Sequence, residues 1–326
     1  MKLSRTGIKI GVAQLSGTTR RRWSNQPPGA YVFTFHRIGN SDSTEFDPNV
    51  FSCNVQEFED LVEFIASNFR VLSMPDFCTM HRSGNVDDRC ALITFDDGYL
   101  DNYELAMPIL ASRGLSATFF VSPAMIEGEL PWWDRLAFWS KNSGRDQISI
   151  KGRTINLRGD SQQAIKQVLR AFKDDKSPVT EKLKIYEDLL QPQEVLPNTK
   201  LMMNWSQIAD AHQLGFTIGS HTVSHPILAH LDSSEQKSEL VRSKAIIEDK
   251  LNSEVNVVAF PVGGETSFSR TTVELAKQSG YEFAFSSIEK LNSWGSYNPH
   301  VMGRIGIDSG DIATLQYRLS RLSSSY

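Results

Sequence analysis

Two short segments combine carboxylates and imidazoles at spacings that could hold a metal ion. Asp96 and Asp97 are adjacent, and His221 and His225 are four residues apart. Residues four apart share a face on a turn or at a helix start, so both imidazoles could reach one ion. Two histidines and one carboxylate leave a position open for water, which is how catalytic metal sites are built. Considered separately, the segments also fit an Asp-Gly surface turn and a pair of surface histidines.

The surrounding elements indicate an α/β fold. Apolar and β-branched runs predict strands at residues 30–35, 70–73, 91–95, 117–121, 216–220, 257–260, 283–286 and 304–307. Amphipathic spacing predicts helices between them, including residues 55–68, 104–113 and 234–251. About seven to eight strands with intervening helices predict a distorted (β/α) barrel. Both chemical segments directly follow predicted strands, where barrel enzymes place their catalytic groups.

The strand–helix alternation is interrupted between residues 127 and 201. This region predicts a hairpin over residues 148–157 and two polar helices over residues 161–174 and 178–190. The alternation then resumes. We therefore expect one barrel domain over residues 30–326 that carries an insertion at residues 127–201.

Composition excludes several classes of protein. The 326 residues carry a formal net charge of −4, which argues against a nucleic-acid partner, because neutralising phosphates needs a basic face. Cys53, Cys78 and Cys90 are too few and too scattered for a disulfide framework or a cysteine zinc site. No run approaches the ~20 apolar residues that span a bilayer. The oligomeric state is left open.

Residues 1–29 form a basic segment, and no acidic residue occurs before Asp42. Lys9 and Gln14 interrupt the only apolar core that could serve a secretory signal, so no convincing signal peptide is predicted. The segment is either a membrane-facing surface, with each cation contributing ~1 kcal/mol near anionic lipid, or a disordered tail. We accordingly expect a cytoplasmic protein, with peripheral membrane contact under the first alternative.

The two chemical segments resemble the first two motifs of the polysaccharide deacetylases, the family-4 carbohydrate esterases with a NodB homology domain. The motifs read Thr94-Phe95-Asp96-Asp97-Gly98-Tyr99 and His221-Thr222-Val223-Ser224-His225-Pro226. The resemblance extends from about residue 30 to residue 307, and the insertion is its least typical part. It implies a distorted (β/α) barrel that removes acetyl groups from N-acetylhexosamine units of a polysaccharide, an oligosaccharide or a lipid-linked glycan.

The resemblance also implies the site roles. Asp97, His221 and His225 would bind the metal, and Asp96 would be the general base. Zinc is the first choice for such ligands, although cobalt, nickel or iron would also suit them. The backbone N–H of Tyr99 would stabilise the oxyanion of the tetrahedral intermediate.

Other family features occur in altered form. Phe260-Pro261-Val262-Gly263 resembles the third motif, so Pro261 and Gly263 would form one wall of the substrate groove. The arginine and tyrosine often found in that motif are missing. Arg304 is expected to line the groove and to pair with Asp96 in place of the missing arginine.

The general acid has two candidates, because the usual late Leu-x-His motif is absent. His300 is the only histidine after Phe285. His36, in Phe35-His36, resembles the early Tyr-His of a subgroup that acts on biofilm poly-N-acetylglucosamine. In that subgroup an early-strand histidine takes the acid role, so His36 is favoured and His300 is the runner-up. The alternative for His36 is a strand-end imidazole bonded to a backbone carbonyl.

Trp132 and Trp133 could have either of two roles. Exposed indole rings beside the groove would stack on sugar rings and bind substrate. Alternatively, the pair anchors the insertion to the barrel, since large aromatic side chains usually contribute burial energy.

The sequence is consistent with three functions. The first is a metal-dependent N-deacetylase. The second is a hydrolase of the same fold that cleaves O-acetyl esters or cyclic amides. The third is a non-catalytic glycan-binding relative, which would have no need of a base at Asp96.

Overall fold

The structure is a computed structural model that describes residues 26–84 and 89–322. Most of the basic segment, residues 1–25, lies outside the described residues, so the two alternatives for it are not distinguished. None of the helices in the described ranges combines the length and hydrophobicity of a membrane span.

A largely parallel sheet forms the centre of the molecule. The strands are β1 (Gly29–Phe35), β2 (Arg37–Ile38), β3 (Phe51–Cys53), β4 (Arg70–Val71), β5 (Arg89–Phe95), β6 (Thr118–Val121), β7 (Gln147–Ile150), β8 (Arg153–Asn156), β9 (Thr217–Ser220), β10 (Val257–Ala259), β11 (Phe283–Phe285), β12 (Asn292–Ser293) and β13 (Ile305–Gly306). The main path of the central sheet runs β11-β10-β9-β6-β5-β1-β12, with β4 paired to β5 and β13 paired to β1. Among the described residues, only the pairing between β1 and β12 is antiparallel in this sheet. A small sheet of β2 and β3 and a hairpin of β7 and β8 lie outside it.

One segment joins the two sides of the curled sheet. Met302 pairs in parallel with Phe285 of β11, and Ile305 pairs in parallel with Phe33 of β1. The chain between Met302 and Ile305 therefore spans the opening between the two strands. The result is the distorted (β/α) barrel that the sequence predicts.

Helices cover the outside of the sheet and build the insertion. They are α1 (Val55–Asn68), α2 (Met74–Ser83), α3 (Met107–Ser112), α4 (Pro123–Ile126), α5 (Trp132–Lys141), α6 (Ser161–Lys173), α7 (Val179–Leu190), α8 (Trp205–Gln213), α9 (Ser233–Leu251), α10 (Arg270–Gln278) and α11 (Ile312–Leu322). The hairpin and the two polar helices predicted between residues 127 and 201 are present as β7, β8, α6 and α7. The helix predicted over residues 104–113 differs, because it begins with a π-helical turn at Asn102–Ala106.

Alternation along the strands separates an outer core from an inner one. Tyr31, Phe33 and Phe35 of β1 pack against the helices, whereas Ala30 and Val32 belong to the second, inner cluster. Side chains of a strand point alternately to opposite faces. In β5, Cys90 and Leu92 lie in the inner cluster. The same alternation directs Thr94 and then Asp96 inward, towards the mouth of the barrel.

Candidate metal centre

Three buried side chains at the carboxyl ends of β5 and β9 meet at one point. One ligand atom from each of Asp97, His221 and His225 lies within 4.8 Å of the others. Asp97 Oδ1 is 3.5 Å from His221 Nε2 and 3.3 Å from His225 Nε2. The structure thus brings together the three residues that the sequence predicts as metal ligands.

The tautomer and charge of His221 suit a metal ligand. Its Nδ1 lies 2.7 Å from the carbonyl oxygen of Ala259, which can only accept, so Nδ1 donates and Nε2 keeps its lone pair towards Asp97. Burial lowers the pKa of His221 to about 4, although the neighbouring carboxylates act in the opposite direction. The imidazole is therefore neutral near pH 7, which is the form that binds metals. A carboxylate beside two imidazole nitrogens fits a divalent ion.

The backbone around these ligands is held in left-handed conformations. Asp97, Thr222 and His225 have φ angles of 75°, 65° and 54°. Such angles are costly for residues other than glycine and tend to occur at functional sites. Gly98 follows at φ 85°, where an added Cβ would lie 3.1 Å from Val121. These turns place the carboxylate and the imidazoles on the same side of the barrel mouth.

Arg304 clamps the second carboxylate. Its Nη1 and Nη2 each donate to Asp96 at 2.7 Å, and its Nε donates to the carbonyl of Ser286 at 2.9 Å. Burial alone would raise the pKa of Asp96, but Arg304, with His221 and His36, more than offsets this and holds it below its usual range. The predicted pairing of Arg304 with Asp96 is confirmed. Its predicted place among the substrate-binding residues is wrong, because the side chain is only 1% exposed.

Of the two candidate acids, the structure brings His36 to the site. His36 follows β1, and its Nε2 lies 3.9 Å from Asp96 Oδ2 with 38% of the side chain exposed. His300 Nε2 instead donates to the carbonyl of Tyr281, at 3.0 Å. Tyr281 precedes β11, so His300 lies at the amino end of that strand, opposite the metal centre. The runner-up position His300 is therefore too distant to act in the same site.

Trp132 and Trp133 are each only 5% exposed, so the sugar-stacking interpretation is wrong. Trp133 lies with its ring centroid 4.4 Å from that of His225, and its Nε1 donates to the Tyr99 hydroxyl at 2.6 Å. That hydroxyl donates to Asp134 Oδ2 at 2.8 Å. The pair thus anchors α5 behind a metal ligand. Sequence reasoning missed Asp134, although an acidic residue directly after two tryptophans was a signal for a buried polar contact.

The turn after β10 has a fixed shape. Val262 and Gly263 have φ angles of 62° and 63°, and Ser287 N donates to the Gly263 carbonyl at 2.8 Å. A Cβ on Gly263 would lie 2.6 Å from Ser287 N, so only glycine fits there. The Pro261 side chain is buried, and half-buried Val262 lines a cavity beside the metal centre. The turn therefore forms a wall of that cavity.

Comparisons with known proteins agree with this arrangement. Residues 83–284 match the family model of the polysaccharide deacetylases. "Putative polysaccharide deacetylase YxkH" of Bacillus subtilis (strain 168) is 20% identical over 81% of this chain, and the match spans 66% of that relative, just under two thirds. Deacetylase PplD of Streptococcus pyogenes superimposes with a TM-score of 0.57 at 17% identity, covering 86% of this chain and 93% of PplD. A de-N-acetylase from Aggregatibacter actinomycetemcomitans superimposes with a TM-score of 0.59 at 14% identity, covering 89% of this chain and 99% of the de-N-acetylase.

Proposed function

Because the chain belongs to the polysaccharide deacetylase family, we propose that it removes N-acetyl groups from N-acetylhexosamine units of a glycan. The observation that carries this proposal is the cluster of Asp97, His221 and His225 directly beside the clamped carboxylate of Asp96. A binding module would need neither the metal ligands nor a buried base. The de-N-acetylase among the similar folds supports an amide rather than an ester as the substrate bond.

Asp97, His221 and His225 would hold a divalent ion, with zinc as the first choice for two imidazoles and a carboxylate. Bound there, the ion would polarise the acetamide carbonyl and make water a better nucleophile. The neutral His221, fixed by its bond to Ala259, keeps one lone pair available for the ion near pH 7.

Protons move between this chain's own side chains and the substrate. Asp96 stays ionised because of Arg304, so it can accept a proton from the water that attacks the carbonyl. His36, exposed at the rim, donates a proton to the nitrogen as the C–N bond breaks, which releases an amine and acetate. The Tyr99 N–H donates to the oxyanion. Water is consumed and no other reactant is needed.

The proposal is tested by measuring acetate released from N-acetylchitotetraose by zinc-loaded protein, with and without a chelator. We expect release that the chelator abolishes and added zinc restores. Asp96→Asn keeps the three metal ligands but removes the base, so it should retain zinc and lose at least about 100-fold in turnover.

The controls separate the alternatives. An O-acetylated xylooligosaccharide assayed in parallel should be a poorer substrate than the amide. Acetate release that persists in the chelator, or full turnover by Asp96→Asn, would contradict the assigned chemistry. Zinc retention by Asp96→Asn, measured by atomic absorption, ensures that lost turnover reflects the base and not the metal.

A further inference from the structure

A cavity of about 500 Å³ lies beside the metal centre, between the insertion and the barrel. One wall is helix α6, and the facing wall includes Ile227 and Val262. Ile227 follows the ligand His225 by two residues, and Val262 is the turn residue after Pro261. A sugar held in this cavity would therefore neighbour a sugar whose acetamide reaches the metal centre.

Three cations of α6 line this cavity. Lys166, Arg170 and Lys173 are spaced four and three residues apart, which places them on one face of the helix. Within residues 26–84 and 89–322, none of the three has a carboxylate oxygen within 4.0 Å. By contrast, Lys151 and Arg158 of the insertion have carboxylate partners at 3.4 Å and 2.7 Å. Two carboxylates, Asp47 and Asp174, also line the cavity, but neither is in an ion pair with these cations. The positive charge of this helix face is thus available to a ligand.

The position of Lys173 favours an anion. Burial lowers the pKa of Lys173, while the carboxylates of Asp47 and Asp97 act in the opposite direction. The Lys173 ammonium lies 5.9 Å from the Trp132 ring centroid, and that ring lies 6.4 Å from the ring of His225, so the ammonium is near the metal centre. Asp47 forms no ion pair with Lys173 within 4.0 Å, and its Oδ1 accepts instead from the backbone and side-chain amides of Asn49. A partly desolvated ammonium without a close counter-ion is stabilised by an anionic ligand.

We propose that this cavity, between α6 and the turn after β10, binds an anionic group of the glycan. The group is a carboxylate or a phosphate on a sugar near the one that is deacetylated. Asn49, Thr266 and Ser267 also line the cavity and offer hydrogen bonds to sugar hydroxyls. The inference rests on the proposed function and adds a substrate class to it: acidic N-acetylated glycans rather than neutral ones.

The test compares three substrates of similar length. These are neutral N-acetylchitotetraose, its 1-phosphate, and a heparosan tetrasaccharide that alternates N-acetylglucosamine with glucuronate. We expect kcat/KM to be about tenfold higher for at least one charged substrate, which corresponds to one net charge-assisted contact. The better of the two charged substrates identifies the source of the anion. High salt should reduce the preference.

The variant Lys166→Gln/Arg170→Gln removes two exposed cations of the cavity. It should bring the charged substrate to within about twofold of the neutral one. Lys184→Gln, an exposed lysine on α7 outside the cavity, is the matched control and should keep the preference. An equal preference in the double variant, or the same loss in Lys184→Gln, would overturn the proposal.

A binding measurement keeps this test independent of catalysis. Calorimetric titration of the heparosan tetrasaccharide should show about tenfold weaker binding to the double variant than to the native protein. If no substrate released acetate, the proposed function would fail, and this titration would still decide the anion site. If the double variant bound each of the two charged ligands, heparosan and the phosphorylated chitotetraose, as tightly as the native protein does, the anion site would be ruled out.

Discussion

Asp96 is a buried carboxylate whose charge depends chiefly on one neighbour, Arg304. Burial disfavours its ionised form, and the bidentate contact from Arg304 reverses that preference. The carboxylate therefore stays ionised, and able to accept a proton, although it is buried. The sequence indicates this partner only through the family pattern, because Arg304 is 208 residues away and spacing alone carries no information about their contact.

Replacing Arg304 with methionine should strongly destabilise the protein. The change leaves the Asp96 charge buried without its partner, which typically costs about 3–5 kcal/mol. Urea unfolding of the metal-free protein would measure the loss. The double variant Arg304→Met/Asp96→Leu removes both charges and should recover a large part of it.

An exposed ion pair provides the comparison for Arg304. Arg158 and Asp146 are in contact at 2.7 Å, but their side chains are 59% and 81% exposed. Arg158→Met should therefore change the free energy of unfolding little, because water screens the pair. If Arg304→Met were as mild as Arg158→Met, the buried pair would not be what holds Asp96.

At the scale of elements, helix α5 acts as a support behind the metal centre. It begins with Trp132 and Trp133, and Asp134 then bonds to the Tyr99 hydroxyl and to the Asp47 N–H. Trp132 also stacks on Phe172 of α6 at 4.9 Å between ring centroids. The insertion is thereby fastened to His225 by contacts that cross from one element to another.

Sequence patterns predict the strands, the hairpin and the two helices of the insertion because each depends on local spacing. They also predict that the carboxylates after β5 and the histidines after β9 meet, whereas the choice of Asp97 over Asp96 as the ligand comes from the family resemblance. The burial of Trp132 and Trp133 is not predictable in that way. It depends on Tyr99 and Phe172, which approach only when α5 and α6 dock on the barrel.

Asp134 should make the stability of the protein depend on pH. Burial raises the pKa of Asp134 from its ordinary value of 3.8 to about 7. Because the pKa of Asp134 is higher in the folded than in the unfolded protein, this group contributes its full stabilisation below about pH 4. That contribution is lost as the pH rises to about 7. Asp134→Asn removes this titration. Its free energy of unfolding should match the native value at pH 4 and exceed it by up to about 4 kcal/mol above pH 7.

Urea unfolding at a series of pH values between 4 and 8 would check this expectation. Asp188→Asn, which changes an exposed aspartate of α7, serves as the control and should run parallel to the native protein. A constant difference between Asp134→Asn and the native protein across the series would show that Asp134 is ionised throughout.

At the scale of the whole molecule, the metal centre joins distant parts of the chain. Asp97 follows β5, His221 and His225 follow β9, and Ala259 of β10 orients His221. An ion bound by these residues would be held only when the three strands are assembled. Binding energy would therefore appear as folding stability.

Zinc should consequently raise the melting temperature of the metal-free protein. Free zinc at 100 times its dissociation constant stabilises a folded protein by about 2.7 kcal/mol, which corresponds to several degrees for a domain of this size. His225→Gln removes one ligand and should abolish most of the shift, whereas Asp96→Asn should keep it because Asp96 is not a ligand. Thermal unfolding with and without zinc measures all three proteins without reference to activity. An equal shift in His225→Gln would place zinc elsewhere, and loss of the shift in Asp96→Asn would make Asp96 a ligand instead of the base.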